Sequence, residues 1–189
     1  MDEGLHRPAQ GADLDPRPSA VTRPASILAG PEGHPVHPIL VTVPIGAFVA
    51  SIIFDIAAAV SDNSAAFARG ATWLIVIGLA GAVAAAVFGL LDMQTIPSGT
   101  PARATAMTHL VLNSIALVLF ALSAWGRFAA WDPPFDTPWW CVALSVVALA
   151  GLGASGYLGG KLSYHYGVRV AGSRLQADGY DRTGPRDQR

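Results

Sequence analysis

Four apolar stretches, at 39–60, 72–91, 104–125 and 139–162, constrain this chain more than any other feature. A helix needs about 20 apolar residues to cross a hydrocarbon layer ~30 Å thick, and each stretch is close to that length. A helix of a soluble bundle carries a polar stripe beside its apolar one, whereas these stretches are apolar on every face. The chain is 52% hydrophobic and 13% charged, with a mean hydropathy of +0.42. An ordinary soluble domain has about 25% charged residues, so polar surface is too scarce for a fold surrounded by water. The expected fold is all-α: a four-helix transmembrane bundle, multi-pass in an inner or plasma membrane, with the lipid bilayer as its first partner.

The connecting segments "SDNSAAFARG", "QTIPSGTP" and "GRFAAWDPPFDTP" hold the Gly, Pro, Ser and Asp of loops. Short loops make consecutive helices antiparallel neighbours, giving an up-down-up-down order. One side of such a bundle holds Arg7, Arg17, Arg23, Arg103, Lys161, Arg169, Arg174, Arg182, Arg186 and Arg189, and the other only Arg69 and Arg127. The positive-inside rule then places both termini in the cytoplasm. Trp73, Trp125, Trp131, Trp139 and Trp140 all fall at the opposite end, as an interfacial aromatic belt does. The chain divides into an N-tail (1–33), a transmembrane domain (34–172) and a C-tail (173–189). The tails bury too little apolar surface to offset ordering entropy and are expected to be disordered. The N-tail also lacks the basic start and apolar core of a signal peptide.

A net charge of -1 argues against a nucleic-acid partner, which calls for a basic face. A single cysteine, Cys141, excludes an internal disulfide, a CxxCH haem attachment and an all-cysteine iron–sulfur cluster. No GxSxG, HExxH or Ser–His–Asp order occurs, so no hydrolase or dehydrogenase signature assigns a catalytic residue.

Histidine is the informative residue. His34 and His37, in "GHPVHP", precede the first span; Asp92 ends the second, His109 lies early in the third and His165 ends the fourth. In an antiparallel bundle these positions share one side. Asn113, at i+4 from His109, shares its face, and two polar side chains there are expected to face the bundle interior. A residue before proline avoids the α region, so His34 and His37 are expected in extended backbone. Pro38 suits a first helical turn. Pro44, inside the helix, frees the carbonyl of Leu40 and should bend the chain.

Neutral imidazole is the commonest protein ligand for transition metals. Two histidines on facing helices, His37 with His109 or His109 with His165, suit a b-type haem, with Arg103 on a propionate. His34, His37, His109, His165 and Asp92 are the donors for a single transition metal ion; Met93 and Met107 would suit copper. The leading expectation is a redox or electron-transfer subunit. A proton-coupled transporter, which with four helices calls for a homo-oligomer, is the alternative, as is a cofactor-free structural subunit. The plain reading of the histidines is snorkelling at the interface. Gly81, Ala85 and Gly89, and again Gly156 and Gly160, recur at four-residue spacing, which suits close helix approach or a slot for a flat cofactor. Asp55 and Arg69 are expected to pair across the first loop. No inverted repeat is visible.

"HPVHP", "GLLD" at 89–92, "RATAMTH" at 103–109 with Asn113, and "GYLGGKLSYHYGVRV" at 156–170 together resemble the uncharacterised integral membrane family catalogued as domain of unknown function 2231. The resemblance spans about residues 33 to 172. It marks His34, His37, Asp92, Arg103, His109, Asn113 and His165 as motif residues without giving them roles. Some members look fused to, or paired with, Rieske-type iron–sulfur domains, so the resemblance implies a redox partner of that kind.

Overall fold

The computed structural model describes residues 36–133 and 135–170; His34 and the two tails expected to be disordered lie outside them. Its helices are α1 (Val36–Leu40), α2 (Thr42–Val60), α3 (Ser64–Gln94), α4 (Pro101–Ala129) and α5 (Trp139–Tyr164), and no strand occurs among the described residues. With α1 and α2 taken together, four spans of 25, 31, 29 and 26 residues are long and apolar enough to cross a membrane.

Local chemistry explains the helix limits. The break at Val41 follows the carbonyl of Leu40, which Pro44 cannot bond because it has no N–H. His37 sits inside α1 rather than in extended backbone. Pro38 costs nothing in a first turn, and a hydrogen bond from the His37 ring to α3 outweighs the pre-proline preference. Pro101 opens α4, where the Thr100 hydroxyl accepts from the Arg103 N–H at 3.2 Å, a standard N-cap. The first loop is much shorter than "SDNSAAFARG" suggests, because α3 already begins at Ser64. That segment is rich in alanine, the best helix former. Its Gly70 is needed for space: a Cβ there would lie 2.6 Å from the ring of Phe54.

The packing is inside-out. Ala71, Ala85, Ala116 and Ala148 are buried with Ser51, Thr72, Ser123, Ser145 and Ser155, while Ile39, Ile53, Ile56, Val83, Val118 and Val147 are exposed. In water such an arrangement would leave the largest apolar groups unburied. In lipid it is the expected one, since association rests on close approach of small residues and on internal polar contacts. The chain is therefore a multi-pass integral membrane protein.

Side chains of the first span fill seats on α3: Phe54 at Gly70, Phe48 at Gly78, Val43 with Pro44 at Gly81, and His37 at Gly89. The reversed order shows the two spans to be antiparallel. Across α4 and α5 the same order holds, with Trp140 against Gly126, Ser123 bonded to Ser145, and His109 at Gly159. Packing is dense within these two hairpins and sparse between them. Between the hairpins, the rings of Phe48 and Phe120 stack at 3.8 Å and 4°, bedded in Ile75, Ala116, Ala124 and Ala148.

Candidate functional site

The histidine end of the bundle holds the candidate site. The His37 ring lies on Gly89, and its Nδ1–H donates to the Ala85 carbonyl at 2.8 Å. The His109 ring lies on Gly159. Its Nδ1–H is shared between the Ser155 carbonyl at 2.8 Å and the Ser155 hydroxyl oxygen at 2.9 Å. That hydroxyl donates back to the His109 carbonyl at 3.2 Å. Each imidazole thus ties its own hairpin together, and donation from Nδ1 leaves Nε2 as the nitrogen with the lone pair. On His109 the Asn113 amide donates to that Nε2 at 3.0 Å, so the i+4 relation seen in the sequence is a direct bond.

Asp92 is buried and pairs with Arg169, Nε to Oδ1, at 3.0 Å. His37 is within electrostatic range of both Asp92 and His109. The structure therefore brings together His37, Asp92, His109 and Asn113, and it adds Arg169.

Two expected members stand elsewhere. His165 is exposed at the C-cap of α5, its ring edge-on to Tyr166 at 4.8 Å. The chain turns there, through Gly167 at φ 69 and Arg169 at φ 58, and this turn carries His165 outward and Arg169 inward. Val168 anchors the strap by packing with Ile96 and Ala106. Arg103 spends its guanidinium on backbone carbonyls after α3, donating to Met93 at 2.5 Å and Ile96 at 3.5 Å. Those carbonyls, orphaned at a helix end, need such a donor. Met93 packs against the Ile96 cluster and Met107 is exposed, so neither joins the histidines. Among the described residues no three His, Cys, Asp or Glu side chains converge as a metal-holding group. His34 lies outside the described residues.

The glycine stripes also need correction. Gly81 and Gly89 serve close approach as expected, but on α5 the working glycine is Gly159. A Cβ on Gly156 would meet nothing within 4 Å, and one on Gly160 only Tyr164 of its own helix at 3.9 Å. At the other end, Asp55 pairs not with Arg69 but with Arg127, through two bonds of 2.7 Å. Arg127 also donates from Nε to Ser123 Oγ at 3.2 Å, so burial of both charges is matched by hydrogen bonds. Arg69 instead lies 3.8 Å over the ring of Phe135 and 5.9 Å from that of Trp131.

Arg169 is the residue that sequence reasoning missed. Its signal was a lone arginine between two valines directly after a glycine, inside a motif already singled out.

No curated protein and no solved structure matches the chain. Residues 33–172 match the family described as a predicted membrane protein, DUF2231. That match takes in every described helix and the whole histidine end, so the chain belongs to the DUF2231 family of membrane proteins.

Proposed function

We propose that the chain is an electron-transfer subunit whose redox centre, a b-type haem, is held by His37 and His109. One observation carries the reading. The two imidazoles lie at the same end of the bundle, one on each hairpin and within electrostatic range of each other, each with Nδ1 donated to a helix carbonyl, the kind of hydrogen bond that orients a ligating histidine. Their number also bears on the cofactor. A single metal ion takes three or four protein donors, whereas haem takes two axial ones. Two histidines match the axial pair of a haem, whereas Asp92, the nearest further donor, is paired with Arg169, and no three such side chains converge among the described residues. Haem at this position would supply one-electron chemistry; the protein's part is to hold two rings and keep Nε2 unprotonated. The Asn113 amide must turn away from His109 for ligation. The electron partner is a protein of the Rieske type that the family resemblance implies. On the Lys/Arg asymmetry the site faces the cytoplasm.

A second reading, proton-coupled transport, draws on Asp92, His37 and His109 being electrostatically linked in series. Histidine titrates near neutral pH, and intramembrane acids and histidines often relay protons.

The deciding experiment is a visible spectrum with metal analysis on protein purified in detergent from haem-replete cells, repeated after hemin reconstitution. A Soret band is expected, lost in His37→Ala and in His109→Ala and kept in His165→Ala. A wild type with neither Soret band nor metal under both conditions rejects the redox reading and leaves proton transport, tested by pH-gradient assays in vesicles.

A further inference from the structure

The two hairpins repeat one pattern. His37, Phe48 and Ser51 recur 72 positions later as His109, Phe120 and Ser123, and Asp55 falls on Arg127 by the same step. Burial follows the register: Pro44, Phe48, Ser51 and Asp55 in the first span, Ala116, Phe120, Ser123 and Arg127 in the third. Between α3 and α5 the step is 70, and it carries four of the eight buried residues of α3, Ala71, Ile75, Gly78 and Ala85, onto all four buried residues of α5, Cys141, Ser145, Ala148 and Ser155. Contacts repeat as well. His37 bonds the carbonyl of Ala85 as His109 bonds that of Ser155, both at 2.8 Å, and the rings lie on Gly89 and Gly159.

A few identities in apolar helices would follow from composition alone. Burial, hydrogen bonds and glycine seats that share one register do not. Equivalent helices run in the same direction, so the copies are related by an axis along the bundle and are not inverted. Phe48 and Phe120 meet face to face, as mates beside a two-fold axis do.

One pair of mates breaks the symmetry. Position 55 is Asp and position 127 is Arg, both buried, joined by two bonds of 2.7 Å. Two like hairpins docked the same way would set carboxylate against carboxylate, or guanidinium against guanidinium, in a buried site. A juxtaposition of that kind rejects a wrong partner, and selecting one pairing is the best-attested use of a buried polar group.

We infer that the chain is a tandem duplication of one helical hairpin, and that the Asp55–Arg127 charge exchange selects the pairing of its two unlike hairpins over like hairpins of two chains. The histidines then form one composite site, one ring from each copy, whatever that site binds.

The test uses the full chain in detergent, with Asp55→Arg, Arg127→Asp and the double exchange. Each single change sets like charges together; a fall of the thermal midpoint on the order of 10 °C, or loss of the wild-type elution position, is expected. The double exchange should regain most of that midpoint and the wild-type elution. An arginine at 55 finds Ser51 four positions back, as Arg127 finds Ser123. A double variant no better than the worse single one, or single variants that behave as wild type, overturns the inference. Ala85→Ser gives a milder check of the register. It adds the hydroxyl that Ser155 carries, and an unchanged or raised midpoint is expected; a marked fall means that positions 85 and 155 are not equivalent.

Discussion

At the residue scale, what sets the site is the space beneath each imidazole. A Cβ on Gly89 would stand 2.9 Å from His37 Cε1, and the ring cannot retreat without giving up its bond to Ala85. Gly89→Ala should therefore cost about 1–3 kcal/mol through overpacking. Gly156→Ala, with open space around it, should be neutral or gain up to about 1 kcal/mol of helix propensity. Denaturation of both variants in one detergent compares them directly. Asn113 offers a different test. Asn113→Leu removes the donor on His109 Nε2, so hemin should bind more tightly if that nitrogen is a ligand, and a hemin titration reads it. Sequence spacing revealed Asn113 because i and i+4 must share a helix face. It could not choose Gly159 over Gly156 and Gly160, since a helix apolar on every side does not say which side meets its neighbour. Nor could it exchange His165 for Arg169, because the turn at Gly167 decides which of the two points inward.

For the helices, the main issue is what holds one hairpin to the other. Arg127→Ala leaves the Asp55 carboxylate buried without its partner, and a loss of about 3–5 kcal/mol is expected. Arg69→Ala removes only a cation–π contact at an exposed position, at about 0.5–1 kcal/mol. Thermal melts of the two variants side by side should differ accordingly; near-equal losses would mean that the ion pair does not brace the hairpins. Nearness along the chain made Arg69 look like the partner of Asp55. The true partner is 72 positions away, a relation that only packing discloses. The spans themselves were legible, because apolar length alone specifies them. Their ends were not, since alanine-rich flanks such as 64–70 continue a helix past the last bulky apolar residue.

Over the whole molecule, the remaining expectation is direction. Reporter fusions at each terminus should both behave as cytoplasmic, and a translocated terminus would reverse the placement of the histidine end. The duplication was hidden in the sequence by how little it preserves: small residues replace one another freely wherever only volume matters, so the copies agree mainly at His, Phe and Ser. The stacked phenyl pair has a consequence at this scale. Phe48 and Phe120 are 0% exposed and their neighbours Ile75 and Ala148 are equally dry, and among the described residues no acid or base lies at their level. In electrical terms, the middle of the bundle is a dielectric slab between two wet, polarisable ends. An elementary charge carried through it would work against about 2.3 kcal/mol per 100 mV of membrane potential, with no site on which to pause. A charge that enters at the histidines meets no acid or base at the level of the phenyl pair, so among the described residues the middle of the bundle acts as an insulator between its two polar ends.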